Sequence, residues 1–231
     1  MLTISFCSPK GGSGKSTTCA VLALELARTG WNVKVMDTDP KNWLTSWALL
    51  KPLPKGLQVY AVPQDQLTDA AESLSYQADF LLIDIEGSDD ASLIDAILVS
   101  DMVISPCRSS RMDASGSVQV LKQVRQKSRM LKRPILSSVL MTQTAPGAIE
   151  HRITGEIKAI LKEAGAPILR TQFANRPIFQ AMVSLGGDFI DLPKEFQGSS
   201  PTSAIENARA LAVEVVDRLS GVPLPKVEQS A

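Results

Sequence analysis

Residues 5–18 of the chain read SFCSPKGGSGKSTT and join the end of an apolar run to a glycine-rich loop. The loop closes with Gly14-Lys15-Ser16, the end of the phosphate-binding pattern Gly-x-x-x-x-Gly-Lys-Ser/Thr. Position 9, where that pattern begins with glycine, holds Pro9, and a second lysine, Lys10, stands ahead of the glycines. The stretch therefore predicts a phosphate-binding loop that has one lysine more than such a loop requires.

Each part of this loop has a chemical task. Its glycines let the backbone turn tightly and direct N–H groups at phosphate oxygens, and the helix that follows adds its positive N-terminal end. Lys15 is expected to reach the β and γ phosphates, the Ser16 hydroxyl to bind Mg²⁺, and Thr17 to hold the α phosphate. The expected nucleotide-binding positions of the loop are Gly11, Gly12, Ser13, Gly14, Lys15, Ser16 and Thr17. The alternative is a glycine turn that only packs.

Short apolar runs alternate with longer segments of helical periodicity along the chain. The predicted strands are 2–8, 32–37, 57–62, 79–84, 101–106 and 134–142, with a weaker one at 167–171. The predicted helices lie near 16–29, 65–77, 89–100, 113–131, 150–164, 177–185 and 203–219. This alternation predicts an α/β fold with a doubly wound, mostly parallel sheet and helices on both faces. Ligands of such sheets bind beyond the carboxyl ends of the strands.

Length and composition predict the domain organisation and limit the kinds of partner that are expected. The chain has 231 residues, 44% of them hydrophobic, which predicts a single domain over 1–220 followed by a disordered tail at 221–231. The 24 basic and 24 acidic residues cancel, so binding to DNA or lipid would need a local patch. No apolar run approaches the roughly 18 residues of a membrane span and no signal peptide is recognisable, so a cytoplasmic protein is expected. Three cysteines without CxxC spacing and a single histidine argue against a disulfide framework or a zinc site.

The segment KGGSGKST (10–17) resembles the deviant Walker A box of the ParA/MinD class of P-loop ATPases, Lys-Gly-Gly-x-Gly-Lys-Thr/Ser. The resemblance implies an ATP-sandwiched homodimer in which the early lysine reaches the nucleotide of the partner subunit. That role falls on Lys10, which is expected to point away from its own loop, while Lys15 serves the nucleotide of its own subunit.

The segment VKVMDTDP (33–40) is similar to the strand of this class that ends in Asp-x-Asp-Pro. By the resemblance, Asp37 lies near Mg²⁺ and Asp39 positions the attacking water. A physical argument supports the second role, because a carboxylate at the carboxyl end of a parallel strand lies on the phosphate side of the sheet. The alternative is that Asp39-Pro40 only starts a turn and caps a helix.

The segment DFLLIDIEG (79–87) is an apolar strand that ends in Asp84, which fits the Walker B aspartate that holds Mg²⁺ through water. The class usually continues with a Thr-Pro-Pro turn, whereas this chain has Ile85-Glu86-Gly87. Similar Asp-Thr-Glu-Gly wording occurs in a ParA-like branch that assists conjugation-type DNA transfer in plant-tumour virulence systems. Glu86 is either a group behind the metal site or an acid at the start of a helix.

A weaker match lies at 171–192, TQFANRPIFQAMVSLGGDFIDL, where the class has an arginine, a helix and a glycine before the last strand. Arg176 and Gly186 are in step with that segment. The resemblance places the loop Phe173 to Pro177 near the adenine, so Arg176 and Pro177 are expected to bind the nucleotide.

A basic window follows. Eight basic residues and one acid, Asp113, fall within 108–133. On an ideal helix four of them share a face opposite the stripe of Leu121, Val124, Ser128 and Leu131. These four expected DNA-binding residues are Lys122, Arg125, Arg129 and Arg133. A face of one sign predicts a site for nucleic-acid phosphates, and a plain solvated face is the alternative.

Two other surfaces were open to interpretation. The helix near 203–219 mixes acids and bases, which argues against a basic amphipathic membrane anchor, so no membrane partner is expected. Trp43 and Trp47 stand four apart and would share one face of a helix, either in the core or as a docking surface.

Together, the loop and the resemblance imply an ATP- and Mg²⁺-dependent ATPase of slow turnover. It is expected to dimerise with ATP, to bind DNA non-specifically on the nucleoid, and to position or segregate plasmid or chromosomal DNA. The expected partner is a ParB-like centromere-binding protein or a relaxosome protein. Two alternatives remain: an accessory factor in conjugative DNA transfer, or a metabolic P-loop enzyme of the ATP-dependent amidase or ligase type.

Overall fold

The structure, a computed structural model, describes residues 1–86, 90–146, 151–198 and 201–221. The described strands are β1 Leu2–Phe6, β2 Val33–Asp37, β3 Leu57–Ala61, β4 Phe80–Asp84, β5 Met102–Cys107, β6 Leu136–Thr144 and β7 Phe173–Ala174. They form one sheet in the order β3-β2-β4-β1-β5-β6-β7, and all the strand pairings recorded there are parallel. The predicted parallel sheet is confirmed.

Helices cover both faces of this sheet. Their bounds are α1 Lys15–Arg28, α2 Trp43–Leu50, α3 Leu67–Leu74, α4 Asp90–Val99, α5 Arg111–Leu131, α6 Arg152–Glu163, α7 Pro177–Leu185, α8 Lys194–Gln197 and α9 Pro201–Leu219. One core cluster joins the sheet to α1, α2, α7 and α9, and a second joins it to α3, α4, α5 and α6. Strand residues alternate between them, with Leu82 in the first cluster and Leu81 and Ile83 in the second. Burial on both faces explains the unbroken apolar runs of the strands.

The central strands bring the acidic motifs to the loop. In the register of the sheet Asp84 lies beside Phe6 of β1 on one side and beside Asp37 of β2 on the other. Because parallel strands end at the same edge, the loop that follows Phe6 and both aspartates meet there.

One predicted strand is wrong. Within 167–171 only Ile168 forms an isolated bridge, to Val139, because the amides of Arg170 and Thr171 each donate to the Glu214 carboxylate at 2.8 Å. The edge strand is β7 instead. After Gly186, where the resembled class has its last strand, this chain makes a 3₁₀ turn at Phe189–Asp191.

The helix α2 is missing from the helical segments predicted above, because WLTSWALL is apolar at most positions and shows no clear stripe. Trp47 is 2% exposed and belongs to the core, whereas Trp43 is 57% exposed. Neither interpretation therefore fits both tryptophans.

The predicted boundary at residue 220 stays a prediction, because residues 222–231 of the tail lie outside the described residues, as does Gly87 of the 79–87 motif. Among the helices that are described, none is long and apolar enough to cross a membrane.

Candidate nucleotide-binding site

The loop between β1 and α1 has the backbone of an anion site. Gly12 and Gly14 have φ values of 73° and 96°, a left-handed region that favours glycine. Gly14 is the N-cap of α1 and makes no side-chain cap hydrogen bond. The first amides of α1 are thus left without a side-chain acceptor at the helix end that attracts anions.

This loop opens into a cavity of about 460 Å³. Its lining residues are Pro9, Gly11, Gly12, Gly14, Lys15, Ser16, Thr17, Asp39, Lys41, Trp43 and Glu86. The fold therefore brings most of the predicted phosphate-site residues to one space, together with Lys41 and Trp43, which sequence reasoning did not place there. Their position directly after Asp39-Pro40 was the only available signal.

A second cavity, of about 350 Å³, adjoins the first through Gly14 and Thr17. Its other lining residues are Thr142, Gln143, Phe173, Ala174, Asn175, Arg176, Phe179, Gln180 and Val183. Arg176 thus borders a space that continues from the phosphate loop, and its contact with a nucleotide stays a prediction. Pro177 begins α7 and packs near Gly198, and its contact with a nucleotide stays a prediction.

The two lysines of the loop lie in different surroundings. Lys15 is buried, and its Nζ donates to the Lys10 carbonyl oxygen at 3.2 Å. Burial lowers the pKa of Lys15, and the nearby Asp84 carboxylate opposes that shift. The Lys10 Nζ lies 3.7 Å from Asp113 Oδ1 in α5, with the side chain 33% exposed. In this chain Lys10 therefore lies against its own α5 and does not point freely outward as expected.

Pro9 is explained by its neighbour in α5. A Cβ added to Gly116 would lie 2.7 Å from Pro9 Cγ, closer than real contacts allow. The proline ring therefore packs directly on the helix backbone at Gly116. A glycine inside a helical pattern often marks such a close approach, and it was the signal available in the sequence.

Asp84 is a deeply buried carboxylate. It is 1% exposed, and neither oxygen has a hydrogen-bond partner among the described residues. Burial raises the pKa of Asp84 to about 7, the Ser16 side chain opposes this, and Asp37 adds to it. Unpaired carboxylate oxygens beside a hydroxyl are suitable for a hard divalent cation, so the pair Ser16 and Asp84 fits Mg²⁺.

Asp37 and Asp39 organise the next loop. Asp37 Oδ2 accepts the Thr45 amide at 2.8 Å, and its Oδ1 accepts the Asp39 amide at 3.3 Å. Asp39 Oδ1 in turn accepts the Lys41 amide at 2.9 Å. Asp39 therefore forms a turn, as one interpretation held, and also borders the phosphate cavity, as the other required. It further borders a neighbouring cavity of about 620 Å³ at the ends of β2 and β3.

Glu86 lies with the phosphate site. It borders the 460 Å³ cavity and accepts Gln64 Nε2 at 3.4 Å. Its role, as a group behind the metal site or as an acid at the start of a helix, stays open, because residues 87–89 lie outside the described residues.

The basic face of α5 is smaller than predicted. Lys122, Arg125 and Arg129 are exposed on the helix, and the Arg125 guanidinium donates to the Gly165 carbonyl at 2.6 Å. Arg133 does not belong to this face, because α5 ends at Leu131 and Lys132 adopts a left-handed φ of 51°. The Arg133 guanidinium instead pairs with Asp101 at 3.0 Å and donates to the carbonyls of Leu98 and Ser100. Leu131, expected on the opposing stripe, is 44% exposed.

A family comparison agrees with this geometry. Residues 4–181 match the CobQ/CobB/MinD/ParA nucleotide binding domain. The chain belongs to this family. The matched span begins in β1 and runs into α7, so it includes the lining residues of the 460 Å³ and 350 Å³ cavities except Val183.

Individual members narrow the likeness to the ParA branch. The ParA protein of Rhizobium radiobacter is 31% identical over 221 residues, which cover 95% of this chain and 98% of that protein. The virC1 protein of Rhizobium rhizogenes is 28% identical over 193 residues, 80% of this chain and 82% of that protein. The ParA-like resemblance, including its virulence branch, is thus confirmed.

A solved structure shares the fold. A putative plasmid partition protein from Borrelia burgdorferi bound to AMPPNP superposes with a TM-score of 0.67 at 18% identity, covering 94% of this chain and 99% of that one. The doubly wound ParA/MinD fold is confirmed by this match.

Proposed function

We propose that this ParA-like chain is a Mg²⁺-dependent ATPase that dimerises around ATP, binds DNA without sequence preference, and positions DNA cargo such as a plasmid or chromosome. The observation that carries the proposal is one cavity that joins the two-lysine loop to Asp39, beside the unpaired carboxylate of Asp84. The AMPPNP bound to the related Borrelia burgdorferi partition protein supports an adenine nucleotide as the ligand.

Within the proposed site the loop amides and Lys15 bind the phosphates, and Thr17 faces the α phosphate. Ser16 and Asp84 hold Mg²⁺, which neutralises phosphate charge when it is bound. Asp37 helps chiefly by fixing the Asp39 loop, since both of its oxygens accept backbone amides. The second cavity, of about 350 Å³ and bordered by Arg176, receives the adenosine.

Hydrolysis needs a water held in line with the leaving group. Asp39 is the proposed positioning group, because it borders the phosphate cavity and the Lys41 amide fixes one of its oxygens. In this proposal the second oxygen of Asp39 orients the water.

The proposed dimer uses Lys10. For its ammonium to reach a partner nucleotide, the 3.7 Å pair with Asp113 must open, and the phosphates of the partner's nucleotide replace that carboxylate. The pair between Lys10 and Asp113 is thus formed in the free chain and broken in the proposed ATP-bound dimer.

The proposed DNA surface is the exposed face of Lys122, Arg125 and Arg129, without Arg133. It faces phosphates and reads no bases, which agrees with non-specific binding. The protein would act in the cytoplasm, on the nucleoid when ATP is bound, together with a ParB-like centromere-binding or relaxosome protein.

DNA co-sedimentation with ATP, ADP or no nucleotide tests the proposal. Retention with ATP alone is expected, and Lys15→Ala, which removes the phosphate contact, serves as the matched control that stays in the supernatant. Equal retention in all three conditions, or none at all, would contradict an ATP-dependent DNA role.

A second candidate is an accessory role in conjugative DNA transfer, which the likeness to virC1 favours. The two roles share the ATPase and differ in the protein partner. Pull-down with purified relaxosome proteins against a purified centromere-binding protein separates them.

A further inference from the structure

The end of β6 holds the phosphate loop from the side. Thr142 Oγ1 donates to the Ser13 carbonyl at 2.7 Å, and Gln143 Nε2 donates to the Gly12 carbonyl at 2.8 Å. The two hydrogen-bonded pairs lie 129 and 131 positions apart in the sequence. Thr142 is fully buried and packs under Gly14, while Gln143 is exposed.

The backbone at Gln143 is unusual. Its φ of 52° lies in the left-handed region, which a glutamine seldom adopts. The pairing of β6 with β7 shifts register between Thr142 and Thr144, so Gln143 is the extra residue of a bulge. Bulges of this kind redirect a side chain, often beside an active site. Here the redirected side chain reaches Gly12.

Holding these two carbonyls fixes the amides that follow them. A trans peptide is planar, with its N–H opposite its C=O, so the Gly12 carbonyl sets the direction of the Ser13 N–H. The Ser13 carbonyl sets the direction of the Gly14 N–H in the same way. Loop amides are the groups that bind phosphate oxygens, and their value as a site depends on their being oriented in advance.

We propose that Gln143 is a positioning residue of the phosphate loop, which pre-orients the Ser13 amide for nucleotide phosphates through its hydrogen bond to Gly12. This inference rests on the proposed nucleotide-binding function. Gln143 also borders the second cavity, so it joins the phosphate and adenosine parts of the site. The strained backbone is consistent with a role in the site rather than in folding.

Two variants separate the hydrogen bond from the backbone. Gln143→Glu keeps the shape but cannot donate to the Gly12 carbonyl. Gln143→Gly removes the contact and also relieves the positive φ, so folding is not impaired. Gln126→Glu, on the exposed side of α5, controls for the change in net charge, and Gln143→Gly, which adds no charge, controls for repulsion between a carboxylate and the phosphates.

Calorimetric titration with AMPPNP and with ADP gives the first readout. Gln143→Gly is expected to bind about fivefold to tenfold more weakly, the scale of one lost hydrogen bond, with the unfolding midpoint of the nucleotide-free protein unchanged or higher. Gln143→Glu is expected to bind at least as weakly, because its carboxylate also repels the phosphates. Gln126→Glu binds as the natural chain does. Unchanged affinity in Gln143→Gly would overturn the proposal.

Hydrogen exchange of the nucleotide-free protein gives a second readout, which needs no ligand. Amides of residues 11–15 are expected to exchange faster in both Gln143 variants than in Gln126→Glu. Equal exchange would also overturn the positioning role. A third outcome is that the natural protein binds neither nucleotide while the Gln143 variants still exchange faster than Gln126→Glu. That result would refute the proposed function, and the contact would then only order the loop.

Discussion

The ammonium group of Lys10 lies 3.7 Å from a carboxylate oxygen of Asp113, in the first turn of α5 of its own chain. The same carboxylate accepts Arg108 Nε at 2.6 Å, and although burial raises the pKa of Asp113, the hydrogen bonds and charge of Arg108 hold it below its usual value. Asp113 therefore stays charged when Lys10 leaves, because Arg108 remains its partner. The proposed transfer of Lys10 to a second subunit leaves no buried charge unpaired.

Lys10→Ala is expected to abolish the ATP-dependent dimer while ATP still binds to the monomer, since Lys15 is untouched. Light scattering with and without ATP measures the change. Lys55→Ala, an exposed lysine in the turn before β3, is the control and should dimerise normally. A dimer that survives in Lys10→Ala would remove the cross-subunit role.

Asp39→Ala is expected to bind ATP normally, to slow phosphate release by about 100-fold or more, and to accumulate the dimer, because the attacking water loses its positioning group. Turnover assays and light scattering measure the two effects. Asp65→Ala changes an exposed acid on the 620 Å³ cavity that Asp39 also borders, and it should hydrolyse ATP at the natural rate. Undiminished phosphate release by Asp39→Ala would exclude it from catalysis.

The stability of the nucleotide-free protein should depend on Asp84. Because burial raises its pKa from 3.8 to about 7, the folded state binds an extra proton between these values, and Asp84 destabilises the fold increasingly as pH rises through that window. Asp84→Asn should therefore match the natural chain near pH 4 and exceed it above pH 7, by up to about 4 kcal/mol. Urea unfolding across this pH range measures the difference.

The control for that series is Asp191→Asn, an exposed carboxylate, which should leave the pH profile unchanged. Asp84→Asn should also lose the additional stabilisation that Mg²⁺ gives to the ADP-bound protein. A constant difference from pH 4 to 8 would show that Asp84 is not the titrating group.

Arg125→Glu combined with Arg129→Glu should weaken ATP-dependent DNA binding by about tenfold or more at low salt, with less effect at high salt and none on ATP affinity. Lys194→Glu with Arg209→Glu makes the same change in net charge at exposed positions elsewhere and should bind DNA nearly as before. Filter binding at two salt concentrations compares the pairs. Equal losses would assign the effect to net charge alone.

Arg133→Glu should behave differently from that pair. It replaces a pairing partner of Asp101 with a like charge and removes donors to two carbonyls, so it should lower the melting temperature of the protein. A loss of DNA binding with unchanged stability would return Arg133 to the DNA surface.

The sequence predicted those features whose determinants are local. The glycine loop, the buried strands and the motif aspartates were found because each is set by residues next to one another in the chain. Arg133 was assigned to the wrong surface because its partner Asp101 is 32 positions away in the sequence. The strand predicted at 167–171 was wrong because the Glu214 carboxylate accepts the amides of Arg170 and Thr171. Gln143 gave no local signal, since the bulge that directs it depends on pairing with β7.

The contact between Pro9 and Gly116 packs the start of the phosphate loop directly against α5. The start of the loop cannot shift without moving along, or pressing on, a helix of 21 residues, which is about 31 Å long. The same helix bears Arg129 about 20 Å beyond Gly116, near its C-terminal end. If α5 moves as a rigid helix, a shift of Pro9 against Gly116 also moves the exposed side chain of Arg129.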